Sequence, residues 1–302
     1  MRTAIYIKLT NISLQQQLQQ FLWTQLTSLD RLGFPGFAQL LEPISVFRLS
    51  HHLHSIIYRC AIAFQLTRYS SLPPITLAEE IFQWIEQQHS DPVKMHCHRD
   101  QENYAQASYL NFTLTLIDPG WLEFTLSDRS LAVWLQTWET FPFPTTNSLS
   151  LSGNHHNLFA IEYTYARCCA LLRLGDQEGL IQLKSQAFPP YVWSLEVPKP
   201  IPWYNLDLGQ LRLNNIIERS LISQIMTTIE RVINESDGNK IKLGSSLSDS
   251  FLKFESYCRI FSELNRENSQ LSQTRLGLVA ITQYLLQGLW LSNMEQPPRN
   301  QL

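Results

Sequence analysis

Histidine and cysteine gather in one stretch of this 302-residue chain: His89, His96, Cys97 and His98. These are zinc-ligand types, yet a tetrahedral site needs a second pair at matching spacing, and none follows. Residues 89–105 therefore read as a polar loop, and no metal or cofactor is expected. His155-His156 reads as a helix-start feature. For nucleophilic catalysis there is no Gly-x-Ser-x-Gly and no suitable Cys–His neighbourhood. The 11 glycines form no Gly-x-Gly-x-x-Gly fingerprint and no Gly-Lys-Ser loop to cradle phosphate. The five cysteines (Cys60, Cys97, Cys168, Cys169, Cys258) are odd in number and unpatterned. The adjacent pair cannot bridge to itself without strain, so the cysteines point to a reducing, cytoplasmic compartment.

Charge narrows the partners. The net charge is -3, with 9 basic and 12 acidic residues up to position 150 and 14 of each beyond it. Neither half is a polycation that grips nucleic acid by charge alone. Apolar residues make up 44% of the chain, enough for real cores, which excludes disorder as a class. Leu276 to Met294 runs without a charge over 19 residues, close to a bilayer span. Thr282, Gln283 and Gln287 inside it, with Arg275 and Glu295 at its ends, favour a helix within a bundle, so no membrane partner is expected.

The elements that position these groups follow from periodicity. Leu14, Leu18, Phe21, Leu22 and Leu26 recur at helical spacing, ended by Gly33-Phe34-Pro35-Gly36. Ile56, Ile57, Ala61, Phe64 and Leu66 read as a second helical stretch. Thr76 is expected to cap a helix through Ile85, with Glu79 as its capping-box partner. The period then changes to two. Leu110, Phe112, Leu114 and Leu116 alternate, Asp118-Pro119-Gly120 turns the chain, and Leu122, Phe124 and Leu126 alternate again, which makes a hairpin. Ser127 or Asp128 caps a helix carrying Leu131, Trp134, Leu135 and Trp138. Phe141 to Ser148 reads as a linker.

Beyond the linker the reading is helical, interrupted by a Pro-rich insert between Phe188 and Pro202. Tyr163 to Leu174 lacks breakers. Ile222, Ile225, Met226, Ile229, Val232 and Ile233 make one stripe, and Phe251 to Phe261 and Leu276 to Trp290 supply two more helices. The expected architecture is mainly α: a small α+β domain over 1–144, then an all-α helix bundle over 155–302. The tryptophans Trp121, Trp134, Trp138, Trp193 and Trp203 read as core and loop anchors. Arg167 and Arg173 lie about 240° apart around a helix, so one of them is expected to be partly buried.

Tyr163-Thr164-Tyr165-Ala166-Arg167-Cys168-Cys169-Ala170-Leu171-Leu172-Arg173 resembles the Tyr-x-x-Ala-Arg-x-x-Ser-Leu-Leu-Arg helix that opens the DALR anticodon-binding domain of arginyl-tRNA synthetases. Leu221-Ile222-Ser223-Gln224-Ile225 sits where that family places its second helix. Ser248-Asp249-Ser250-Phe251-Leu252-Lys253-Phe254 with Arg259-Ile260 looks like its Phe-His-x-Phe-Tyr-x-x-x-Arg-Val segment. Arg275-Leu276-Gly277-Leu278-Val279, Gly288-Leu289-Trp290-Leu291 and Pro297-Pro298-Arg299 match its last helix and end. In the first half, Ile75 to Ile81, Asp118 to Leu126 and Leu131 to Leu135 are similar to the N-terminal additional domain of the same synthetases, which contacts the tRNA elbow. That family's Phe-Gly-Asp-Tyr-x-x-Asn stretch is missing where Tyr58-Arg59-Cys60-Ala61 lies.

A class I synthetase places a nucleotide-binding domain of hundreds of residues between such halves. Here they are separated by about ten linker residues, too few for that sheet. Ser50-His51-His52-Leu53-His54 lacks the glycine of His-x-Gly-His, and Lys242-Leu243-Gly244-Ser245-Ser246 only echoes Lys-Met-Ser-Lys-Ser from within the bundle. The resemblance thus implies a non-catalytic tRNA-binding-type protein, one that domain resemblance alone would label an arginine–tRNA ligase. The family pattern is altered at Leu252, Glu255, Ser256 and Asn300, which stand where it has His, Tyr, Asn and a terminal Met. Tyr163, Arg167, Arg259 and Arg299 remain suited to stacking and to bidentate contacts with an RNA base. The partner expected is tRNA or another structured RNA. The alternative is an interaction scaffold that has left RNA for a protein partner.

Overall fold

A computed structural model describes residues 1–9, 13–30, 42–49, 54–89, 109–138, 155–184, 194–234, 240–261, 269–291 and 298–300. The chain divides into two compact units, Met1–Leu135 and Gln136–Leu302. The linker expected at 141–148 lies outside the described residues, and the division falls in the last turn of a helix just before it.

The first unit is built on an antiparallel sheet of β1 (Arg2–Lys8), β2 (Val46–Arg48), β3 (Ile56–Cys60), β4 (Tyr109–Ile117) and β5 (Trp121–Leu126), ordered β1-β4-β5-β3-β2. Alternation gives the sheet one apolar face. Register lines its rows up: Ile5 opposite Phe112, Phe112 opposite Leu126, Leu114 opposite Phe124, and Tyr58 opposite Phe124. All six of these side chains are buried. Helices α1 (Leu14–Asp30) and α3 (Pro74–His89) pack on each other and on the sheet, while α2 (Ile62–Leu66) is a single turn beside α3. On the pleat's other side Arg59 stands opposite Glu123 and pairs with it, its guanidinium 5.5 Å from the centre of the Trp121 ring.

Two expectations for this unit are corrected. Ile56 to Leu66 is not one helix: Ile56–Cys60 is a central strand with alternate residues buried, and the helix begins only at Ile62. A short apolar run fits either element, and here pairing with β5 decides. Thr76 is not a cap, because α3 already begins at Pro74, with the Pro73 carbonyl accepting from the Leu77 amide at 3.2 Å. Proline suits that first position, since the amide it lacks has no helical partner there. The expected hairpin is present as β4 and β5. Gly120 turns it at φ +135°, and a Cβ there would sit 2.7 Å from the Pro74 carbonyl carbon. Helix α4 (Asp128–Gln136) follows, capped by Ser127, whose Oγ accepts from the Ser130 amide at 3.2 Å.

The second unit packs α5 (His155–Gln177), α6 (Ile216–Asn234), α7 (Lys240–Tyr257) and α8 (Ser269–Leu291). Helix α8 touches the other three and is buried on every side, Thr282, Gln283 and Gln287 included. That accounts for its charge-free sequence, as a helix apolar all round belongs at a core. Among the described residues no helix is long and apolar enough to cross a membrane. Helix α7 starts and ends earlier than expected, stopping at Tyr257 rather than Phe261. Its Gly244 lies against Ile161 of α5, so the Lys242–Ser246 segment sits inside a packed helix. The bundle is also not purely helical. Two ribbons are present, β6 (Gln182–Lys184) with β7 (Ser194–Val197), the latter within the Pro-rich insert, and β8 (Tyr204–Asn205) with β9 (Gln210–Leu211) after it. Such short pairs carry no periodicity long enough to read.

Candidate nucleic-acid interface

Helix α5 has two characters. Ile161, Tyr165, Cys168 and Leu172 recur at three- and four-residue steps and are buried in the bundle. The opposite stripe carries Phe159, Tyr163, Arg167 and Leu174, all exposed; Phe159 is 59% and Tyr163 43% accessible. Residues four apart are neighbours on a helix surface. The Phe159 and Tyr163 rings accordingly lie nearly parallel, 6.2 Å apart with 25° between planes.

Two arginines border this stripe, each held by a carboxylate. The Nε of Arg167 donates to Glu255 Oε1 on α7 at 2.5 Å, with the Arg167 side chain 47% exposed and that of Glu255 19%. Arg299 places its backbone amide 3.3 Å and its Nε 3.5 Å from Glu162 Oε1 on α5, and its side chain reaches into solvent. Arg173 is the half-buried arginine of the helix. Its Nη2 donates to the Asn300 carbonyl at 3.1 Å and ties the chain end to α5.

Arg259 is placed differently. It lies past the end of α7, and its carbonyl accepts from Arg275 Nη1 of α8 at 2.6 Å. Arg275 in turn pairs with Glu218 of α6 at 2.7 Å. Of the four candidates, the structure sets Tyr163 and Arg167 on one stripe of α5, places Arg299 against Glu162, about 100° round the same helix from Tyr163, and fixes the backbone of Arg259 at α8. Glu255 occupies Arg167, Ser256 bonds back to the Leu252 carbonyl of its own helix at 2.8 Å, and the Asn300 carbonyl holds Arg173.

Phe159 escaped the sequence reading. Its signal was the spacing 159, 163, 167, with an aromatic one turn before the tyrosine. Tyr257, 71% exposed at the end of α7, also went unread. The remaining candidates have other surroundings. The His89 ring lies 5.5 Å from that of Phe21, while His96, Cys97, His98 and Ser50 to Leu53 lie outside the described residues. Among the described residues no three metal-ligating side chains converge. Trp134, Trp138 and Trp203 are buried, and Trp121 contacts Phe64 and Phe47. His155-His156 occupies the first turn of α5.

The four described cysteines are free and buried. Burial pushes the Cys169 thiol up to about 11, against the pull of the Tyr165 hydroxyl and Arg173, and lifts Cys168 well above its ordinary range. Thiols so protonated are poor nucleophiles. What the α5 stripe offers is instead a ring surface for stacking and directed N–H donors. No protein-family model, no curated protein and no solved structure matches the chain.

Proposed function

We propose that this chain is a non-catalytic RNA-binding protein of the anticodon-binding type, which takes a single-stranded loop of tRNA or another structured RNA on the outer stripe of α5. The observation that carries this reading is the exposed, mutually stacked Phe159–Tyr163 pair, with Arg167 exposed one turn further along the same stripe. Base–aromatic stacking contributes about 1–3 kcal/mol per base, and a loop base, unlike a paired one, can reach the rings. Weak overall charge fits a binder that relies on stacking more than on phosphate neutralisation. The absence of a nucleotide-binding segment between the two halves supports a role without chemistry. Unbridged, buried thiols support a reducing compartment, the cytoplasm.

The test is fluorescence anisotropy of tRNA transcripts with the intact protein and with Tyr163→Ala and Phe159→Ala. Each variant is expected to lose roughly 1–3 kcal/mol of binding while its thermal midpoint stays put. Binding that survives both changes, or no binding at low salt, refutes the reading. Arginine-dependent ATP–pyrophosphate exchange is expected to stay at background.

One observation favours a second reading. Glu255 and Glu162 place two carboxylates beside the same stripe, where they repel phosphate, while Phe159 and Leu174 suit burial against a protein. Material co-purified with the native protein separates the two: RNA supports the first, a stoichiometric polypeptide the second.

A further inference from the structure

We propose that the α5 stripe is selective for guanine, with Arg167 reading the O6/N7 edge of a base stacked on Tyr163. This rests on the RNA-binding reading above and names the nucleotide that the site takes. Glu255 Oε1 accepts from Arg167 Nε, and among the described residues no group pairs with Nη1 or Nη2. Glu255 is itself largely buried, 19% accessible, so it holds the guanidinium plane rather than following it. Four N–H groups are left over, and two of them lie parallel at the Nη1/Nη2 end.

Two base edges match that fork, O6/N7 of guanine and O2/N3 of cytosine, and of the two bases the purine has the larger face to stack on Tyr163. Guanine offers two adjacent acceptors, O6 and N7, whereas adenine pairs its N7 acceptor with an N6 donor. Uracil offers O4 without a neighbouring acceptor on that edge. A phosphate also accepts a fork, but the Glu255 carboxylate cancels most of the charge that would draw one in. The pairing keeps the direction of the hydrogen bonds while removing the long-range attraction. The site therefore favours a neutral two-acceptor edge over an anion.

Position supports the same assignment. Tyr163 lies four residues before Arg167, and long helical side chains lean toward the N-terminus, over the preceding turn. Both side chains are exposed on the same stripe, one helical turn apart. Phe159 backs that ring at 6.2 Å, leaving Tyr163 to meet the base with one face or its edge.

Anisotropy of the intact protein with labelled single-stranded hexauridylate RNA carrying one central G, inosine, 7-deazaguanine, A or C tests this. G and inosine, which share O6 and N7, are expected to bind alike and about tenfold tighter than A, C or unsubstituted hexauridylate. The 7-deazaguanine oligonucleotide is expected to fall to the level of A. Arg167→Lys, an exposed change that keeps the charge but not the fork, is expected to bring the ratio of G to hexauridylate affinity down to about one while the circular dichroism spectrum remains. Equal affinity for all five central bases overturns guanine selectivity and leaves RNA binding standing. Failure of every oligonucleotide to bind at low salt, together with failure of structured tRNA, overturns both.

Discussion

Replacing Glu218 with alanine removes the carboxylate that joins α6 to α8 in the second unit. Its Oε1 accepts from Arg275 Nε at 2.7 Å, with the two side chains 2% and 13% exposed. Its Oε2 accepts from the Asn215 amide at 3.0 Å, while Asn215 Oδ1 accepts from the Ile217 amide at 2.8 Å, a reciprocal cap on the start of α6. Breaking a buried pair by removing one partner costs about 3–5 kcal/mol, because the other charge is left without compensation. Loss of the cap adds about 0.5–1 kcal/mol. Against this, Arg275 keeps its Nη1 bond to the Arg259 carbonyl and a little water contact. The lower end of the range therefore applies, and the expected loss for Glu218→Ala is about 3–4 kcal/mol. Urea denaturation followed by far-ultraviolet circular dichroism measures it. Arg275→Met strands the buried carboxylate and is expected to cost about 3 kcal/mol alone. The double variant removes both charges, so its loss is expected to fall short of the sum by about 2 kcal/mol. A single-variant loss below about 1 kcal/mol, or strict additivity, refutes the reasoning.

Gly277→Ala places a methyl 2.5 Å and 2.9 Å from ring carbons of the fully buried Trp203. Overpacking of about 1–3 kcal/mol outweighs the roughly 1 kcal/mol gained in helix propensity, so a lower thermal midpoint is expected, and an unchanged one means that the indole yields freely. Gly120→Ala meets backbone rather than side chain, at φ +135°, and is expected to lower the midpoint by the equivalent of about 2–3 kcal/mol; an equal midpoint counts against the close approach of the hairpin to α3. Burial pushes the Cys60 thiol from 9.0 up to about 12. Between those values the unfolded chain binds fewer protons than the folded one, so this thiol's contribution is intact below pH 9 and fades as pH rises, by about 1.4 kcal/mol per pH unit. Midpoints measured from pH 8 to 10.5 are expected to fall less steeply in Cys60→Ala than in the parent chain, and parallel curves contradict the assignment.

Much of the architecture is local and was legible. The β4–β5 hairpin alternates strictly on both sides of Asp118-Pro119-Gly120, and its register follows from that turn. The inner stripe of α6 and the charge-free run of α8 likewise declare their burial by composition and period alone. Strand β1 was not legible, because it pairs with β4 more than a hundred residues on, Arg2 opposite Thr115. Nor was β3, whose apolar run suits a helix until β5 lies beside it. The site divides along the same line. Tyr163 and Arg167, singled out by resemblance, share one face of α5 because they lie four residues apart on a helix. That Glu255, 88 residues away, takes the Nε of Arg167, and that Glu162 meets Arg299 across 137 residues, depended on tertiary structure. Sequence period determines which face a helix turns inward. How far one helix is rotated and slid against the next is settled by side-chain packing between them, and that packing chose the carboxylate which orients the guanidinium.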